Sequence, residues 1–83
     1  MAERFYVAEM ITHNFIFKGV GSNKEEARIA LLKAWTAHRS VLLAQYPERT
    51  DSIPVASKME DHFRIYYLEF AMNAGYRGND RLV

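Results

Sequence analysis

The chemistry this chain could perform is bounded first by its histidines and carboxylates. His13, His38 and His62 are its three histidines, and no cysteine accompanies them. Three imidazoles gathered in space can hold zinc, yet neither an H-x₃-H nor an H-E-x-x-H spacing is present. No metal site and no cofactor are expected. His38 falls on an apolar helical face, where a hydrogen-bonded core histidine is the plainer reading. The carboxylates Glu25-Glu26 and Glu60-Asp61 are adjacent pairs, and neighbours on a helix point about 100° apart. Neither pair is therefore an acid/base dyad, and capping and solvation account for both. No Ser/His/Asp or Cys/His arrangement stands out, and so short a chain has little depth for a catalytic pocket. The expectation is a protein that is not an enzyme.

Phosphate chemistry is the next candidate. The run GVGSNKEEARIALLKAW, from Gly19 to Trp35, carries two glycines, a serine and an asparagine straight into an amphipathic stretch. A P-loop needs G-x-x-x-x-G-K-[ST], and a dinucleotide loop needs G-x-G-x-x-G. Neither spacing is met, because position 24 is lysine. A helix N-terminus still offers free N–H groups to an anion, but Glu25 and Glu26 occupy that same end. A turn and a cap are expected instead. Gly19 and Gly21 turn the chain out of a strand, and Ser22 with Glu25 forms a capping box.

The same stretch, FIFKGVGSNKEEARIALLKAW, resembles the C-terminal half of double-stranded-RNA-binding domains. There a strand leads into G-x-G-x-S-K-K-x-A and a helix whose lysines grip phosphates across a groove. Phe17, Gly19, Gly21, Lys24 and Ala27 fall in similar order. Glu25 and Glu26 stand where the family carries positive charge, the serine comes earlier, and residues 3–20 read as strands where the family has a helix. Beyond that resemblance, Arg28 and Arg39 lie near Leu32 on one shoulder of the helix, with Trp35 at its edge. Arginine beside an exposed aromatic suits phosphate contact and base stacking. A nucleic-acid-binding module using Lys24, Arg28, Trp35 and Arg39 is thus the alternative functional expectation. A solvated helix face is the simpler one, since a net charge of +1 is far from the basic excess of typical nucleic-acid binders.

The elements that must position these residues follow from periodicity. Glu3–Ile11 alternates like a strand, and Phe15–Val20 is a second strand, with Thr12, His13 and Asn14 between them. A helix is expected from about 23 to 45, because Ala27, Ala30, Leu31, Ala34, Trp35, His38, Val41 and Leu42 recur at helical spacing. Tyr46-Pro47 ends it. Ser57 with Glu60 is a second capping box, placing a short helix at about 55–62. Residues 63–72 fit both a strand and one helical face. A strand is favoured, because a helix would leave Ile65, Leu68 and Met72 opposite that face. The tail AGYRGNDRLV reads as a turn and a short terminal strand. The predicted fold is α+β: a β-hairpin and a C-terminal strand in a small antiparallel sheet packed by one long helix, in the order β-β-α-(short α)-β.

At 83 residues, one domain spanning 1–83 is expected. The absence of cysteine, of an N-terminal apolar run and of any membrane-length segment makes a cytoplasmic protein the expectation. What is over-supplied is apolar and aromatic surface. Tyr6, Met10 and Ile16 are expected to point opposite to Phe5, Val7, Phe15 and Phe17. Tyr66, Leu68 and Phe70 oppose Ile65 and Tyr67. One helix covers one sheet face, so the other is expected to stay bare unless the short helix or the tail folds over it. Bare apolar patches mark interfaces. The principal functional expectation is a small non-enzymatic protein-binding module that uses Tyr6, Met10, Ile16, Tyr66 and Phe70 against a protein partner or, as a homodimer, against itself. Small cysteine-free domains of this size resemble phage-encoded and mobile-element accessory proteins, including anti-CRISPR inhibitors. That likeness rests on size and on the lack of catalytic motifs.

Overall fold

The computed structural model describes residues 3–83. Strand β1 (Arg4–Ile11) is the middle of a three-stranded antiparallel sheet, with β2 (Ile16–Gly21) on one side and β3 (Ile65–Ala71) on the other. Helix α1 (Lys24–Gln45) crosses one face of that sheet. Two 3₁₀ helices, Pro47–Arg49 and Ala56–Asp61, lead back to β3, and a small hairpin of β4 (Tyr76–Arg77) and β5 (Asp80–Arg81) closes the chain. The fold is α+β, as expected. Within the stretch 63–72, Ile65–Ala71 is a strand, which removes the helical alternative. The short helix expected near 55–62 is present with 3₁₀ geometry, and its N-cap is Val55, with no side-chain cap. Ser57 and Glu60 therefore do not form a capping box.

Register decides which side chains share a face. Ile11 pairs with Ile16, Met10 with Phe17 and Ala8 with Gly19 across β1 and β2. Met10 pairs with Ile65, Ala8 with Tyr67 and Val7 with Leu68 across β1 and β3. Directly paired residues lie on one face. The helix side thus carries rows of Phe17, Met10 and Ile65, then Gly19, Ala8 and Tyr67, then Gly21, Tyr6 and Glu69. This corrects the expected facing of Tyr6 and Met10, which share the side of Phe17. The turn Thr12–Phe15 sets that register. The Thr12 N–H and hydroxyl both donate to the Phe15 carbonyl, at 2.9 and 2.8 Å.

The glycines also play a different part from the one expected. Both Gly19 and Gly21 lie inside β2, on the face that meets α1. A Cβ on Gly19 would stand 2.1 Å from the Ala27 carbonyl oxygen and 2.2 Å from the Leu31 nitrogen. One on Gly21 would stand 2.6 Å from the Ala27 nitrogen. They are glycines because helix backbone rests on strand backbone there, not because the chain turns. Ala8 beside Gly19 completes the small row. Ala27, Leu31 and Trp35 then reach the sheet, and with Ala8, Met10, Phe17 and Met59 they form the buried core.

The helix start is shifted by one residue from the expected capping box. Asn23 is the N-cap, and its Oδ1 accepts the Glu26 N–H at 2.9 Å. Glu26 in turn accepts from the Ser22 N–H at 3.0 Å and from the Ser22 hydroxyl at 2.6 Å. A carboxylate satisfies this arrangement better than a protonated acid, so the hydrogen bonds from Ser22 lower the Glu26 pKa below its ordinary 4.5. Tyr46, with φ −132° and ψ 68°, ends the helix before Pro47. Among the described residues no helix is long and apolar enough to cross a membrane.

Two outcomes follow from this architecture. Gly19→Ala pushes a methyl into backbone that cannot move aside, so it destabilises the fold by about 3 kcal/mol or more, at the upper end of overpacking effects. Urea denaturation measures that loss, and a change under 1 kcal/mol contradicts the close approach. The Glu26 contribution has a definite sign with pH. Its folded pKa is the lower one, so the stabilisation is complete above pH 4.5 and fades as pH falls through the folded value. Glu26→Gln accordingly narrows the stability gap between pH 7 and pH 3, read from urea midpoints, whereas an unchanged gap rules the cap carboxylate out as its source.

Candidate functional site

The face of the sheet turned away from α1 holds Ile16 and Ile11 in one row, then Lys18, Glu9 and Tyr66, then Val20, Val7 and Leu68, then Phe5 and Phe70. Large apolar groups fill three of these rows. Ile11 is 56% exposed, Ile16 57%, Val20 60% and Tyr66 50%. The only charges in the rows, Glu9 and Lys18, sit opposite one another with Nζ and Oε1 4.0 Å apart. The face is therefore largely apolar, and the Arg64 guanidinium lies 5.4 Å from the centre of the Tyr66 ring on it.

The tail covers one end of it. Phe5 and Phe70 stack at a centroid distance of 5.3 Å, and Tyr76 of β4 meets Phe70 edge-on at 4.9 Å. The Tyr76 hydroxyl oxygen accepts the Ala71 N–H at 2.8 Å, which pins the hairpin to the end of β3. The other end, from Val20 to Ile11 and Tyr66, stays bare. The Ala56–Asp61 helix does not cover it, because Met59 is packed in the core on the α1 side.

Of the residues expected to bind a partner, Ile16 and Tyr66 lie on this bare region and Phe70 lies at its covered end. Tyr6 and Met10 do not belong to it. Met10 is fully buried beneath α1, and Tyr6 packs against the same core. Sequence reasoning missed Ile11 and Val20. The signal for Val20 was its position between two glycines, since in a strand a residue flanked by helix-facing positions faces the other way.

The alternative set is engaged in holding the fold together. Trp35 was expected at the edge of the helix face, but it is 6% exposed, and its Nε1–H donates to the Pro54 carbonyl at 2.9 Å. The Arg39 guanidinium donates to the Ile53 carbonyl at 3.0 Å and the Thr50 carbonyl at 3.4 Å. Together these two residues clamp the segment 50–54 to α1. Arg28 donates from Nε to Glu60 at 2.5 Å and pairs with Glu25 at 3.4 Å, tying α1 to the Ala56–Asp61 helix. The hydrogen bond to Glu60 raises the Arg28 pKa further. Lys24 stands 5.8 Å from the centre of the Tyr67 ring. No exposed ring stands beside a free arginine in this group.

A second feature lies where α1 overhangs the sheet. A cleft of about 640 Å³ opens between the Thr12–Phe15 turn, the second half of α1 and the segment 49–54. His13, His38 and His62 all line it. His38 is half-buried and packs among aromatic rings, with centroids 5.0 Å from Phe15, 5.2 Å from Phe17 and 5.7 Å from Trp35. The hydrogen-bonded core histidine expected at this position is thus an aromatic-packed one. Among the described residues no group of three His, Cys, Asp or Glu is placed to hold a metal.

The clamp makes a direct forecast. Arg39→Ala frees two carbonyls and removes two charged hydrogen bonds, which costs about 1–2 kcal/mol after water replaces them. Proteolysis within 49–54 accelerates in that variant, while cleavage elsewhere keeps its rate. An unchanged cleavage pattern shows that Arg39 does not hold the segment. No protein-family model matches the chain, and comparison with curated proteins and with solved structures found no match either.

Proposed function

We propose that this chain is a small non-enzymatic protein-binding module that works by burying the bare sheet face, and that the first occupant of that face is a second copy of the chain. The observation that carries this reading is the exposure of Ile11, Ile16, Val20 and Tyr66 side by side on one rigid sheet. Exposed apolar area of this kind is stabilised by removal from water. Self-pairing fits the chemistry of the face. Two largely apolar sheets stack with the Glu9 and Lys18 charges matched within each copy, because each brings its own Glu9–Lys18 pair.

Size sets the strength. Three strands about 4.8 Å apart and about 25 Å long offer a narrow face. That is small against the about 800 Å² per partner of a stable interface, so association is weak and concentration-dependent. An inhibitor role of the phage or mobile-element kind would use the same face, by occupying a target's surface. The nucleic-acid alternative finds no support in the geometry of Trp35, Arg28 and Arg39, which are engaged within the fold.

Light scattering across a concentration series tests the proposal. The mass rises from 9.7 kDa toward twice that value, and Val20→Asp and Tyr66→Ala hold it at the monomer. A wild-type chain that stays monomeric throughout overturns self-pairing. If, in addition, neither variant alters any complex recovered with the chain, the face has no binding role.

A further inference from the structure

We infer that the cleft under the overhang of α1 is a binding site for a small aromatic carboxylate. This rests on different residues from the sheet face and stands or falls separately. The cleft has the size of small-molecule sites, which run from about 300 to 1,000 Å³, at about 640 Å³. Its walls are rings: Phe15, Phe63, Trp35 and His38 all line it. They are held by one another, His13 edge-on to Phe63 at 5.9 Å and Phe15 edge-on to His38 at 5.0 Å. An aromatic guest enters such a site edge-to-face or offset-stacked.

The charge of the lining is one-sided. Arg49 lines the cleft, and no carboxylate does. Glu48 and Asp51 belong to the same segment but are not among the lining residues. Arg49 makes no ion pair among the described residues. Its guanidinium lies over the Tyr46 ring at 4.8 Å, which orients it while leaving its N–H groups without a carboxylate. A planar donor fork of this kind matches a carboxylate in a bidentate pair. The Arg39 and Trp35 clamps fix the 50–54 wall, so the site is largely formed before a ligand arrives.

The test uses the full chain and 3-phenylpropionate, with 3-phenylpropan-1-ol as the uncharged control. Trp35 is the only tryptophan, and its fluorescence reports the cleft. Amide shifts of residues 12–15, 52, 53, 62 and 63 locate the site. The acid is expected to give saturable changes confined to those amides, with the alcohol, Arg49→Gln and Phe15→Ala each weakening binding about tenfold. Both substituted residues are exposed, and far-UV circular dichroism confirms that the variants fold. No saturable change up to about 10 mM, equal binding of the alcohol, or indifference to Arg49→Gln each overturns the assignment. Loss of self-association in Val20→Asp leaves these titrations unaltered, which separates the two sites.

Discussion

The backbone-to-backbone approach of α1 onto β2 is the constraint on which the rest depends. Gly19 and Gly21 remove the Cβ atoms that would hold the helix off the sheet, and the helix drops to where Ala27 and Leu31 meet bare strand. That closeness lets a small chain enclose a core from, among the described residues, seven buried apolar side chains. Such a core is thin for an 83-residue chain. It also fixes the direction of α1 across the sheet. The helix is about 33 Å long at 1.5 Å per residue, longer than the strands beneath it. Its second half therefore projects past them, and the molecule measures 50 Å along its longest axis.

The projection explains why the polar side chains of α1 serve the fold. Past His38, which still meets Phe15 and Phe17, the last turns of the helix pack against the irregular segment after it. An irregular segment exposes carbonyls that need donors. Trp35 and Arg39 supply them, while Arg28 reaches Glu60 on the Ala56–Asp61 helix. No buried side-chain nitrogen or oxygen is left without a partner among the described residues. Long cationic side chains near an aromatic look the same in a sequence whether they await a phosphate or hold a loop.

Much of the architecture was legible in the residues. Alternation marked β1, the poor fit of a helical face favoured a strand at β3, the 3.6-residue period marked α1, and Tyr46-Pro47 marked its end. Each of these is a local property. The misplacements were all pairwise or tertiary. Met10 and Tyr6 were assigned to the wrong face because alternation says which residues share a face within a strand, not which face faces the helix. Only the Thr12–Phe15 turn geometry settles that across β1 and β2. The glycines were read as punctuation because a strand glycine and a turn glycine are identical in sequence. The cap moved from Ser22 to Asn23 because both residues can accept, and the third-residue glutamate exists in duplicate at 25 and 26.

Positions 19 and 20 are neighbours in one strand, yet they answer to opposite demands. Folding admits nothing larger than hydrogen at 19, whereas at 20 the side chain faces solvent and the fold places no condition on it. The same alternation runs down all three strands. One set of positions is closed to drift by packing. The interleaved set, Ile11, Ile16, Val20 and Tyr66 among them, is open to any polar residue that would improve solubility. Apolar residues retained at those open positions through divergence would therefore record selection for contact rather than for folding, and residue-by-residue tolerance along β2 would separate the two pressures without knowledge of any partner.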